Sequence, residues 1–172
     1  MDTSEGHKSA VREQFGKTAQ DYVNSPTHAS GQDIVRLVEL TEAGPDDVAL
    51  DVATGGGHTA LAVAPHVKHV VASDLTPNML EAAEKHIRSK GVENVSFELA
   101  DAEDMPFEDE SFDIVTCRIA PHHFSDIAAF AREVARVLKP GGRFVPMDSI
   151  SPDDDELDAS INELEQRRDT TH

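Results

Sequence analysis

The chain carries one cysteine, Cys117, in 172 residues. No internal disulfide can form, and a reducing, cytoplasmic setting is expected. Nowhere do about 18 apolar residues run together, so no membrane-spanning helix is expected. The opening MDTSEGHKSA is polar and lacks the apolar core of a signal peptide. Cations are scarce: 15 Lys plus Arg stand against 33 Asp plus Glu, a formal net charge of -18. That charge repels a nucleic acid, and no basic stripe offsets it, so no nucleic-acid partner is expected. Acid is spread along the whole chain, with one dense run, DDDELD, at 153–158. A surface adapted to high salt is expected, since screening removes the self-repulsion. The melting temperature should then rise as KCl goes from low to molar concentration. A flat or falling curve would leave plain acidity.

What is present suits one globular domain over residues 1–172, long enough for a sizeable core. Apolar runs and periodic segments alternate. Helices are expected over 9–22, through Val11, Phe15, Ala19 and Tyr22, and over 31–42, through Ile34, Leu37, Val38 and Thr41. These form an N-terminal helical part, 9–42. A core over 48–150 follows, with strands at Val48–Ala53, His69–Ser73, Val95–Leu99, Asp113–Arg118 and Arg143–Ile150. Between them, a helix follows the glycines until Pro65, and TPNMLEAAEKHIRSKG is a helix with Thr76 as its cap. A helix over 126–138 is ended by KPGG. Residues 151–172 read as an acidic helical tail. Short apolar strands alternating with helices argue an α/β fold, a parallel sheet covered on both faces. In such sheets ligands bind beyond the carboxyl ends of the strands.

The stretch ALDVATGGGHTALA puts three glycines directly after the first strand. Glycine serves a tight turn and lets backbone approach a ligand closely. Two ligands fit the spacing. Gly55, Gly57 and Ala60 satisfy G-x-G-x-x-A, and Asp74 lies 19 residues after Gly55, where an acid would hold a ribose. On those features a nicotinamide dinucleotide, and an NAD-dependent oxidoreductase, is one reading. Asp51 inside the first strand points elsewhere. An extra carboxylate there disfavours a pyrophosphate and suits a cationic ligand. Asp101 adds another acid at the end of the third strand.

Four pieces taken together carry a resemblance: LDVATGGGHTA, VVASDLTPNMLEAAEK, ELADAEDMPFEDESFDIVTCRIAPHHF and FAREVARVLKPGGRFVPMDS. They resemble class I S-adenosylmethionine-dependent methyltransferases of the type 11 group, including quinone-biosynthesis methyltransferases, over roughly residues 10–150. The resemblance implies a Rossmann-like sheet of order 3-2-1-4-5, normally followed by a hairpin of two strands. No segment here is suited to that hairpin, which is apparently missing. It also implies S-adenosylmethionine as cofactor and a small-molecule methyl acceptor. By resemblance, Gly55 and Gly57 let backbone approach the methionyl part, and Asp51 positions its ammonium directly or through the loop. Asp74 accepts from the ribose hydroxyls. Leu75 and Met79 lie against the adenine, whose amino group Asp101 takes, with the Ala102 N–H nearby. Arg118 and Ile119 line the methionyl end, and Tyr22 covers the donor. The family usually has glycine where Ala53 stands; binding survives that change if Ala53 keeps a negative φ. Since Thr76 caps its own helix, loss of Asp74 should touch donor affinity and leave stability alone.

Methyl transfer needs a general base only where the acceptor must lose a proton. His122 and His123, in APHHF after the fourth strand, are the candidates. Two adjacent histidines without further ligands do not make a metal site, and none is expected. Cys117 reads as core. A non-catalytic domain that binds the donor as a ligand is the non-enzymatic alternative, marked by donor binding without turnover. Only 22 residues follow Ile150, so the fifth strand is expected to be an edge, with Pro146 tolerated there. A shortened chain, or cover by the tail or by a second copy in a homodimer, is expected from that edge.

Overall fold

A computed structural model describes residues 5–10, 12–14 and 31–149. Tyr22, most of the expected first helix and the tail after Ser149 lie outside the described residues. Residues 5–10 and 12–14 are helical. The elements that follow are α1 (Gln32–Thr41), β1 (Val48–Val52), α2 (His58–Val63), β2 (His69–Asp74), α3 (Pro77–Ser89), β3 (Val95–Leu99), β4 (Phe112–Arg118), α4 (Ile127–Val137) and β5 (Leu138–Met147). The sheet runs β3-β2-β1-β4-β5, and every pairing is parallel. This is the order expected. No helix among the described residues is long and apolar enough to cross a membrane.

Alternation along the strands sorts side chains onto two faces. Ala49 and Ile114 face one side, where Leu37 of α1, Ala60 and Val63 of α2 and Ile87 of α3 pack on them. Leu50, Val52, Val115 and Cys117 face the other, against Phe130, Val134 and Val137 of α4. Leu50, Ile114 and Val115 are fully buried, and each such side chain stabilises the fold by about 1.5–3 kcal/mol. The amino ends of the central strands are tied down by carboxylates. Asp47 accepts from the Gly44 N–H and from Arg143, and Asp113 from the Val48 N–H and Lys139.

Two local expectations need correction. KPGG does not separate helix from strand. α4 ends at Val137 and β5 begins at once, with Leu138 opposite Phe112 and a register shift before Ile114 pairs Arg143. Gly141 takes φ 82°, and a Cβ on Gly142 would stand 2.9 Å from the Lys139 carbonyl oxygen, so the glycines let the strand bulge rather than stop. The helix α2 follows the glycines for six residues and gives way, as expected, at a 3-10 turn over Ala64–His66 that contains Pro65. The second correction is Thr76. It stands at the N-cap position of α3, but its side chain does not cap the helix. Asp74, two residues earlier, accepts from the Thr76 N–H instead, at 2.9 Å. Among the described residues β3 and β5 are the outer strands, and Pro146 sits on β5 opposite Cys117.

Candidate functional site

The carboxyl ends of β1 and β2 converge on Asp51. Its register partner on β4 is Thr116, so the two side chains share a face. One carboxyl oxygen accepts from the Thr116 hydroxyl at 2.7 Å and the other from Thr54 at 2.6 Å. Asp51 is 1 % exposed. Burial drives its pKa up to about 6, although Thr54, Thr116, the Ala60 N–H and the nearby Arg118 charge all favour the ionised form. Arg118 makes no direct bond to it. Its guanidinium instead donates to Asp33 of α1 at 2.7 Å. Asp33 is held below the usual carboxylate range: burial opposes ionisation, but Arg118 and local backbone N–H groups outweigh it. A buried carboxylate therefore lies at the mouth of the sheet, held by neutral hydroxyls.

The glycine turn is fastened to β2. The Gly55 N–H donates to one oxygen of Asp74 at 2.9 Å, and the Thr54 N–H to the Ser73 carbonyl at 2.8 Å. Asp74 is 8 % exposed, and burial raises its pKa against the N–H bonds it accepts from Gly55 and Thr76. Both oxygens thus accept from backbone N–H groups, and the Thr76 side chain and the Leu75 N–H also favour the ionised form. The glycines are small for different reasons. Gly55 has φ 53°, and a Cβ there would meet nothing within 4 Å, so the backbone faces open space. Gly57 has φ 79°, and a Cβ would come within 2.9 Å of Ile87 and 3.1 Å of Ala83 on α3. Its size answers packing, whereas that of Gly55 leaves room for a ligand. The Gly57 N–H is used within the turn, by the Thr54 carbonyl, and Asp51 takes the Ala60 N–H. His86 supports the turn from α3, donating from Nδ1 to the Gly56 carbonyl at 2.9 Å.

Ala53 takes φ 53°, so the negative φ that the expected tolerance of alanine at this position requires is not met. A residue with a Cβ in the left-handed region costs about 1–2 kcal/mol. Ile119, after β4, also has φ 52°, a genuine outlier for a β-branched residue. Its N–H donates to the Met147 carbonyl at 2.7 Å, which helps hold it there. Two strained residues thus end the two central strands, where Asp51 and Arg118 also lie.

Of the remaining expected contacts, Leu75 and Ala102 are half-buried, while Met79 is 2 % exposed within the core. Asp101 is already engaged. It accepts from the Glu103 N–H at 2.9 Å and from Lys8 of the N-terminal helical segment at 2.7 Å. Lys8 also pairs with Glu103 at 2.8 Å. Burial lowers the Lys8 pKa, but the two carboxylates outweigh it and raise the net value.

The histidine loop is a 3-10 turn, Pro121–His123, directly after β4. His122 is exposed, and its Nδ1–H donates to the Asp148 carboxylate at 2.9 Å. The Asp148 carboxylate also accepts from the backbone N–H of His122 and of Ser149. The His123 ring lies 4.0 Å from that of His122, centroid to centroid. Its carbonyl accepts from the Nε2–H of His7 at 2.8 Å. Cys117 is buried with a raised pKa, burial first and nearby carboxylates second, as an inert core thiol should be.

Several of these partners were missed from sequence. The hydroxyls of Thr54 and Thr116 carry no signature. Asp148 had one: it stands just past β5, at the same end of the sheet as the glycine turn. Elsewhere, a cleft of about 500 Å³ lies at the other end of the strands, lined by Asp109, Arg136 and Lys139 among others. Its cations are spent on structural pairs, Arg136 with Glu133 and Asp109 and Lys139 with Asp113.

This donor set can be compared with the ligands considered. A pyrophosphate would meet two buried acids here, Asp51 and Asp74, and the Gly55 and Gly57 N–H groups already have partners. A cation with hydroxyl-bearing groups finds carboxylates at the ends of β1 and β2 and open space at Gly55. S-adenosylmethionine fits that set.

A family model described as a methyltransferase domain matches residues 50–145. The uncharacterized methyltransferase YcgJ of Bacillus subtilis is 44% identical over 158 residues, 92% of this chain and 62% of its own length. The crystal structure of that protein covers 82% of this chain with a TM-score of 0.77 and 45% identity, this chain covering 60% of it. A demethylmenaquinone methyltransferase of Clavibacter sepedonicus is 34% identical over 137 residues, 78% of this chain and 55% of its own length. The chain thus spans between half and two thirds of the length of these relatives.

Proposed function

The chain belongs to the methyltransferase domain family, and from that premise we propose that it transfers a methyl group from S-adenosylmethionine to a small-molecule acceptor. The observation that carries the reading is Asp51, a fully buried carboxylate at the carboxyl end of β1. Among the described residues no cation bonds to it directly, and the nearby Arg118 charge acts on it without a bond. A donor bearing positive charge would supply the missing field.

In this reading Gly55 gives the donor backbone clearance, and Asp74 adds ribose hydroxyls to the two N–H groups it already holds. Asp51 acts through the Thr54 hydroxyl and the turn, since its own oxygens are enclosed. Asp101 exchanges or shares its Lys8 partner when the adenine amino group arrives. Arg118, fixed by Asp33, and the strained Ile119 shape the methionyl end. The bound donor supplies an activated methyl carbon. The protein supplies alignment and exclusion of water, which together are worth about 7–11 kcal/mol in well-oriented reactions. A quinone-type acceptor, which the Clavibacter relative's name indicates for that protein, falls within the proposed class.

Calorimetry tests this directly. S-adenosylmethionine and its demethylated product should bind at micromolar concentration or better, with NAD far weaker. Tight NAD binding with no response to the methyl donor would overturn the assignment.

A further inference from the structure

Three consecutive glycines can take many backbone shapes, so the turn after β1 needs outside bonds to hold one of them. Its leading half is held by β2, where the Ser73 carbonyl accepts from the Thr54 N–H and Asp74 from the Gly55 N–H. Its trailing half is held from α3. Ala83, His86 and Ile87 lie three and four positions apart and share one face of that helix. Ala83 and Ile87 leave no room for a side chain at Gly57, and His86 Nδ1 reaches the buried Gly56 carbonyl, 30 positions earlier, at 2.9 Å. A carbonyl only accepts, so Nδ1 carries the hydrogen. The same ring meets that of His58, the buried first residue of α2, with centroids 4.7 Å apart and planes at 65°. Packing on His58 would be served by any flat ring at position 86. The bond to Gly56 needs an N–H group attached to Cγ.

We propose that His86 is a positioning residue for S-adenosylmethionine: its Nδ1–H fixes the Gly56 carbonyl and so presets the backbone at Gly55 that the methionyl end approaches. The inference rests on the methyl-transfer reading above and adds to it a residue that acts through the turn. The helix that carries His86 also begins at the other half of the site, since the Thr76 N–H just before α3 donates to Asp74. One rigid helix thus registers the acid assigned to the ribose against the turn assigned to the methionyl end. Without the His86 bond the free turn samples other shapes. Apparent affinity then falls by the fraction of molecules that still hold the competent one.

The test separates the ring from its hydrogen. His86→Phe keeps a ring against His58 and cannot donate, and His86→Leu cannot donate either. His86→Asn loses the ring but carries N–H on the atom that corresponds to Nδ1. Calorimetry with S-adenosylmethionine and with its demethylated product, well below each melting temperature, reads the affinity. His86→Phe and His86→Leu should bind roughly tenfold more weakly, the value of one hydrogen bond lost to a buried carbonyl. His86→Asn should bind nearly as well as the unmodified protein. A role in packing alone predicts the reverse order, with His86→Phe near normal and His86→Asn weakened. That order, or an Asn variant as weak as the Phe variant, or equal affinity throughout, would overturn the proposal.

A second arm needs no ligand. The Gly57 N–H closes the turn on the Thr54 carbonyl, and its hydrogen exchange reports how often the turn opens. Exchange at Gly57 should quicken in His86→Phe and His86→Leu and stay slow in His86→Asn. Unchanged exchange in all three variants would overturn the proposal. Failure of the unmodified protein to bind either probe would strike the methyl-transfer reading instead, and leave the exchange measurement to decide this one.

Discussion

Asp51→Asn is expected to melt at a higher temperature than the natural chain at pH 7, and to bind S-adenosylmethionine at least a hundredfold more weakly. The two effects have one cause. Asp51 is wholly buried, and its pKa is pushed from 3.8 to about 6. A raised carboxyl pKa means that the fold prefers the protonated group. Its stabilising contribution is full below about pH 4 and is lost as pH rises through about 6. Two pKa units correspond to about 3 kcal/mol. Asparagine is nearly the same shape and carries no charge. One of the two threonine hydroxyls can turn to accept from its amide, so part of that amount is recovered. Each recovered kcal/mol is worth about 2–4 °C for a chain of this size. The gap between the two proteins should close as pH falls through the same window. The charge that burdens the empty fold is also the charge that a cationic donor needs. Calorimetry against melting curves reads both. A variant less stable at pH 7, or one that binds donor normally, would refute the account.

Asp74→Ala should lose both stability and donor affinity. Its carboxylate accepts from the Gly55 and Thr76 N–H groups, so truncation leaves two donors unsatisfied at the turn and at the start of α3. Hydrogen bonds to charged groups contribute about 1.5–3 kcal/mol each, and several kcal/mol of destabilisation should follow. Donor affinity should fall by two orders of magnitude or more. Asp74→Asn should recover part of the stability, because its one carbonyl oxygen can still accept. Thermal melting with calorimetry distinguishes the cases. A truncated protein that melts normally would restore the view that Asp74 serves the ligand alone.

The second expectation departs from what the sequence suggests, and Thr76 explains why. A threonine before Pro77 has the composition of a helix cap, yet the side-chain bond comes from two residues earlier. Local propensity places a helix start well and says little about which oxygen satisfies it. The strands and the acids at the ends of β1, β2 and β3 were legible, because strands declare themselves by apolar runs, while the sheet order came from the family resemblance. The backbone of Ala53 was not. Its left-handed φ is imposed by the turn that follows β1, and alanine composition cannot reveal it. KPGG misled for a related reason: helix-ending residues also permit a bulge, and only the partner strand decides between them. Gly57 shows the same limit in space rather than in sequence. Its neighbours Ala83 and Ile87 stand 26 and 30 positions away.

That neighbourhood ties a helix face to a loop for any later change in the protein. Ala83 is fully buried, and its methyl would lie 3.1 Å from a side chain on Gly57. Enlarging position 83 is an ordinary way to fill a core. Here it would press on the turn that also carries Gly55. Changes at the two positions are coupled, so the core packing of α3 limits the shape of the glycine turn.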